Sequence, residues 1–145
     1  MAYYSVDIYT PSKVVIKGLE ANELIIPTER GEIDVLPEHT HVVTKIGTGV
    51  LTAKTAEGEK HFAMSHGIVK VLKDKVTILA TTSEPSVLID LDRAKAAQEK
   101  AQSMLEGGKA LTDVEVTKYQ RKLSRSQVRV KLALLETSKA GSALR

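Results

Sequence analysis

Gly67-Ile68-Val69-Lys70-Val71-Leu72-Lys73-Asp74-Lys75-Val76-Thr77-Ile78-Leu79-Ala80 is two short β-branched runs around a polar Lys73-Asp74 turn, and it sets the fold class of the first half of the chain. Runs this short, rich in Val and Ile and bounded by turn residues, read as strands. The same grammar repeats toward the N-terminus. His61-Phe62-Ala63-Met64 follows a Glu57-Gly58 turn, and residues 49–54, 41–46, 33–35, 24–26 and 14–16 supply further apolar runs. Tyr4, Val6 and Ile8 alternate with Ser5, Asp7 and Tyr9, the period of two expected of a strand with one buried face. Pro27 and Pro37 fall beside strands, where a missing N–H does least harm. So many short strands joined by turns predict an all-β sandwich or flattened barrel.

Beyond Pro85 the period changes. Leu91, Ala94, Gln98, Ala101 and Leu105 fall at helical spacing within an Ala-rich run, with Asp90 placed to cap the helix and Gly107-Gly108 to end it. Thr112-Asp113-Val114-Glu115 then has the form of a capping box, in which the Thr oxygen and the Glu carboxylate each serve a free backbone N–H. Val116, Tyr119, Leu123, Val130 and Leu134 form the apolar stripe of a second helix, and residues 140–145 read as a frayed end. The short Gly-containing connection makes the two helices antiparallel neighbours. The expected organisation is a β domain over residues 1–86 and an antiparallel helical hairpin over 87–145.

Composition narrows the function. With 145 residues, 42% hydrophobic but only 3% aromatic, the core must be aliphatic, and stacking platforms for single-stranded nucleic acid are nearly absent. Cysteine is absent, which excludes disulfides, thiolate metal sites and a Cys nucleophile and suits a reducing compartment. No apolar run approaches the roughly 20 residues of a membrane span, and Met1-Ala2-Tyr3-Tyr4-Ser5 lacks the regions of a signal peptide, so a soluble chain is expected. Residues 1–86 hold 9 Lys/Arg against 11 Asp/Glu, net −2, and residues 87–145 hold 12 against 7, net +5. The two halves therefore face different electrostatic partners.

Enzymatic readings find little to stand on. His39 and His41 lie two apart and His61 and His66 five apart, but no acidic-rich loop, Cys or His-Glu-x-x-His helix joins them in a metal site. There is no Gly-x-Ser-x-Gly elbow and no phosphate-cradling Gly-rich loop. Ser65-His66-Gly67 is the nearest approach to either and reads as a hairpin turn. The expectation is no catalytic residues and no metal.

The second helix carries more information. Lys118, Lys122, Arg125 and Arg129 recur at spacings of four, three and four and so share a face, with Arg121 beside them. No acidic residue occurs from 116 to 135 to neutralise them at i,i+4. A solvated surface explains charges of this kind in general, yet uncompensated repulsion along one face favours an acidic partner.

Read in order, these parts resemble the epsilon subunit of the bacterial F-type ATP synthase, called delta in mitochondria. Gly31-Glu32-Ile33-Asp34-Val35-Leu36-Pro37-Glu38-His39 is similar to that family's Gly-Glu-Leu-Gly-[Ile/Val]-x-Pro-Gly-His segment. Ser65-His66-Gly67-Ile68-Val69-Lys70-Val71 resembles its Ser-Gly-Gly-x-x-x-Val strand, and residues 75–80 the strand that follows. Ile89-Asp90-Leu91-Asp92-Arg93-Ala94 fits the [Ile/Leu]-Asp-x-x-Arg-Ala signature of its first helix. Asp34, Glu38 and His66 stand where the family prefers Gly, so those turns either tolerate a Cβ or avoid positive φ.

The resemblance implies a non-catalytic rotor subunit of a proton-translocating synthase, coupling the central stalk to the c ring and inhibiting ATP hydrolysis through its C-terminal helices. It implies the gamma subunit, the c-subunit ring and the catalytic alpha/beta hexamer as partners. It also implies a peripheral position on the cytoplasmic face of the bacterial inner membrane, with no direct insertion. By position Glu32 matches a c-ring contact and His39 a gamma contact, while Lys118, Arg121, Lys122, Arg125 and Arg129 form the inhibitory basic face. Glu84, Asp90 and Arg93 match part of an ATP site found in some bacterial members. Lys100 replaces an Arg, and the family's later Arg pair falls on Gln127 and Lys131, so weak ATP binding or none is expected, and no cofactor. The alternative is a β-sandwich adaptor whose basic helical tail binds nucleic acid, against which scarce aromatics and a modest charge excess count.

Overall fold

The computed structural model describes residues 2–38, 41–107 and 110–143, the last five of these as backbone alone. It divides into two compact units, Met1–Pro85 and Ser86–Arg145. The first unit begins with β1 (Tyr4–Tyr9), β2 (Val14–Ala21), β3 (Glu23–Thr28), β4 (Gly31–Val35) and β5 (Val42–Ile46). It continues with β6 (Gly49–Thr55), β7 (Gly58–Met64), β8 (Gly67–Leu72), β9 (Lys75–Ala80) and β10 (Ser83–Pro85). Hydrogen bonding runs β10-β7-β6-β3-β5-β8-β9-β1-β2, with β4 on the other edge of β3. All pairs are antiparallel except β1 with β9.

The path folds over where β3 meets β5, because the two share a single residue pair, Thr28 with Ile46. Two layers result, and their inner faces close one core. Leu24, Ile26, Leu51, Ala53, Phe62 and Met64 come from one layer, and Val6, Ile8, Val69, Val71, Val76 and Ile78 from the other. The core is aliphatic, as the composition requires, and it also holds Tyr4, whose hydroxyl donates to the Val35 carbonyl at 2.5 Å. Burial holds that phenol well above its ordinary pKa, with Asp34 and Glu23 adding to the effect.

Two local expectations in the sandwich are corrected. Ser65-His66-Gly67 is not a hairpin turn, since β7 and β8 pair with other strands and lie in different layers. Instead Ser65-His66 crosses between layers alongside Thr81-Thr82. Ser65 N–H donates to the Thr82 carbonyl at 3.1 Å and Thr81 N–H to the His66 carbonyl at 2.8 Å. The Ser65 and Thr82 hydroxyls lie 2.6 Å apart, and Thr82 N–H donates to Ser65 Oγ at 3.0 Å. Gly67 is required at this crossing because a Cβ there would stand 2.2 Å from the Leu79 carbonyl oxygen. The three-residue β10, which pairs with Phe62–Met64, follows the crossing and was not expected.

The second correction concerns β1, whose polar face is not all exposed. Asp7 is buried with Val6 and Ile8. Opposite it β2 carries one extra residue, since Val6 pairs with Leu19 and Ile8 with Ile16. This is a β-bulge, with Gly18 at φ 71 supplying the left-handed residue. Glu38 keeps φ 63 despite its Cβ, so of the two alternatives given for that turn the first holds: it tolerates a Cβ.

In the second unit a single 3₁₀ turn, Ser86–Leu88, leads to α1 (Leu91–Glu106) and α2 (Asp113–Ala143), which pack on each other as a hairpin. The capping box forms in full: Glu115 N–H donates to Thr112 Oγ1 at 3.2 Å and Thr112 N–H to Glu115 Oε1 at 3.3 Å. Gly107 ends α1 at φ −75, without the left-handed turn its identity suggested. α2 continues through residues expected to fray. Its apolar stripe also departs from the expected one at the end: Leu134 is 47% exposed, while Ser126 and Ala133 are buried. Ser126 is admitted because its hydroxyl donates to the Leu123 carbonyl at 2.9 Å.

Candidate interaction surfaces

Glu32 lies exposed on β4, opposite Pro27 of β3, so its carboxylate stands on an edge strand. His39 lies outside the described residues. His61 is buried, with Nδ1 3.0 Å from Thr52 Oγ1 and Nε2 3.6 Å from the Glu59 carboxylate, a cross-strand structural role. Among the described residues no group of three or more His, Cys, Asp or Glu is placed to hold a metal ion. None of the described helices is long and apolar enough to cross a membrane.

Two charged clusters stiffen the sandwich. Asp7 Oδ1 accepts from Gly18 N–H at 2.8 Å, and Oδ2 lies 3.2 Å from Lys75 Nζ and accepts from the Tyr9 hydroxyl at 3.1 Å. The Gly18 N–H, with help from Lys75 and Tyr9, holds the Asp7 carboxyl below its usual range against the opposing effect of burial. Lys54 meets Glu23 at 3.0 Å across β6 and β3; this contact lowers the Glu23 pKa and raises that of Lys54.

Asp90 and Arg93 are brought together by the helix start itself, where Arg93 N–H donates to Asp90 Oδ1 at 3.1 Å. Glu84 is half-buried on β10, opposite Ala63. Lys100, Gln127 and Lys131 are all exposed. The basic face of α2 is not uniform. Lys118, Arg121 and Lys122 are exposed, with the Lys118 and Lys122 ammonium groups each 5.6 Å from the centre of the Tyr119 ring. Arg125 and Arg129 are half-buried, and the Arg129 Nε is itself buried.

One surface escaped the sequence reading. On the outer face of β5, β8 and β9, Val43 (69% exposed), Ile68 and Leu79 (55% exposed) lie among Lys45, Lys70 and Lys75. Cross-strand register puts them together: Ile68 pairs with Leu79 and with Lys45, and Val43 with Lys70. The signal was present in β8, where Ile68 and Leu72 alternate with buried Val69 and Val71 and so share the face of Lys70. Clustered apolar side chains ringed by polar ones mark a contact surface.

The chain matches the family model described as ATP synthase, Delta/Epsilon chain, beta-sandwich domain over residues 3–86. It matches the one described as ATP synthase, Delta/Epsilon chain, long alpha-helix domain over residues 89–133. The ATP synthase epsilon chain of Staphylococcus aureus strain JH9 is 35% identical over 132 residues, 91% of this chain and 97% of that relative. The same protein of strain Newman gives the same figures of 35%, 91% and 97%. The fold is shared with a chain in the Euglena gracilis mitochondrial ATP synthase OSCP/F1/c-ring structure, at a TM-score of 0.77 and 20% identity. That likeness covers 92% of this chain and 82% of the other. A chain of the Tetrahymena thermophila mitochondrial ATP synthase central stalk and c ring matches at 0.56 and 16% identity, covering 90% and 96%.

Proposed function

This chain belongs to the delta/epsilon family of ATP synthase subunits, and from that premise we propose that it is a non-catalytic rotor subunit that couples the central stalk to the c ring and restrains ATP hydrolysis through its hairpin. The observation that carries the reading is the pair of domain matches, in order, over both units, together with 35% identity across 91% of the chain. The complex it serves translocates protons at the bacterial inner membrane, where the subunit sits peripherally on the cytoplasmic face. No observation favours the nucleic-acid adaptor.

On this reading each partner has a surface to meet. The gamma subunit takes the apolar face of Val43, Ile68 and Leu79 and also contacts His39. The c-ring loops meet the edge strand at Glu32. The exposed cations of α2 meet an acidic segment of the catalytic hexamer. Mixing the chain with its cognate gamma subunit should give one peak in size-exclusion chromatography at micromolar concentration. The double substitution Val43→Asp and Leu79→Asp should split it. A single peak for the double variant would remove this face from the interface, and two peaks for the unsubstituted pair would defeat the reading.

ATP binding is weak. Asp90 is already engaged as a helix cap, and phosphate is best held by forked guanidinium groups that Lys100, Gln127 and Lys131 do not supply. Calorimetric titration should give a dissociation constant no tighter than about 100 μM.

A further inference from the structure

The basic stripe of α2 does not stop at Arg129. Continued at the same alternation of four and three, the positions 118, 122, 125 and 129 lead to Leu132 and Glu136. Leu132 is buried, and Glu136, the first acid after Glu115, accepts a hydrogen bond at 2.6 Å from the hydroxyl of Ser86, fifty residues earlier. Ser86 opens the 3₁₀ turn that leads from the last strand into the helices, and that turn packs against α2. The Ile89 N–H closes the turn on the Ser86 carbonyl at 3.2 Å. Apolar burial contributes little to the attachment, since Val87 and Leu88 are 73% and 66% exposed. A buried hydroxyl donating to a carboxylate is the stronger kind of hydrogen bond and here joins the turn to the helix.

We propose that Ser86 and Glu136 form a latch that holds the linker turn across the C-terminal end of the basic stripe and so limits how much of that face an acidic partner can occupy. The linker and the partner then compete for one side of α2, and opening the latch lengthens the available stripe toward Leu132. The competition rests on the inhibitory reading above, whereas the latch itself can be tested on the isolated chain.

Amide hydrogen exchange on the full chain and on Ser86→Ala tests it. The variant should exchange about tenfold faster at Ile89 and over residues 132–138, the effect expected from losing one charge-assisted bond. Glu136→Gln should move the same amides less, Ser86→Thr should restore slow exchange, and the strands should be unaffected in all three. Unchanged exchange in Ser86→Ala, or acceleration spread evenly over the sandwich, would overturn the latch. In the reconstituted enzyme Ser86→Ala should inhibit hydrolysis several-fold more strongly than the unsubstituted chain, and weaker inhibition would overturn the competition. If removing residues 87–145 leaves hydrolysis unchanged, the inhibitory reading fails and with it the competition, while the exchange data still decide the latch.

Discussion

Asp7 is a carboxylate held inside a sheet by a glycine on the neighbouring strand. Its folded pKa is depressed below an unfolded value of about 3.9, so its contribution to stability is present above that pH and lost as pH falls through the folded value. Asp7→Asn should therefore lower the urea midpoint at neutral pH, and the variant should lose less than the unsubstituted chain on acidification from pH 5 to 2. Parallel losses in the two proteins would show that Asp7 does not fasten the bulge. Gly67 presents the steric counterpart. With the Leu79 carbonyl 2.2 Å from where a Cβ would stand, Gly67→Ala must push two backbones apart, costing about 1–3 kcal/mol in chemical unfolding. The reason that position 67 must be Gly could not be read from the sequence, because it lies in a strand twelve residues away. Asp7 reads in sequence as an ordinary outward residue, since nothing local announces a bulge on the partner strand.

At the scale of elements, the strands that alternate or run apolar over five residues or more were legible, and both helices announced their starts. The miss among the strands has one cause: pairing between distant segments. β10 is three residues with a proline at its end, a strand only because Phe62–Met64 offers an edge. The stripe of α2 was followed through Leu134 because Ser126 and Ala133 are weak apolar signals, although together they keep the alternation of three and four. The basic face was legible as a set of charges but not as two groups. That division yields a prediction. Changing Lys118, Arg121 and Lys122 to Glu should weaken inhibition of hydrolysis about tenfold or more while leaving the thermal midpoint nearly unchanged, because all three are exposed. Arg129→Glu should also lower the thermal midpoint, because its Nε is buried. Equal thermal losses for the triple change and for Arg129→Glu would contradict the division.

The whole molecule is two compact units, and the sandwich closes its core from its own strands. Deleting residues 87–145 should leave a cooperatively unfolding sandwich that still binds gamma, and the reconstituted enzyme should hydrolyse ATP faster without the hairpin. A truncated chain that no longer unfolds cooperatively would mean that the units are not independent in stability. The parallel pairing of β1 with β9 sets one further condition. Ser5 lies opposite Lys75 and Tyr9 opposite Leu79, so the first strand cannot find its central neighbour until 70 more residues have been made. At ribosomal speeds of about 5–20 residues per second, that wait is roughly 4–14 s. Through it Val6 and Ile8 can pair across the β1–β2 hairpin, but the other edge of β1, which β9 will take, stays unpaired. For that interval the growing chain carries an open strand edge at β1, and shielding that edge falls to whatever meets the emerging chain first.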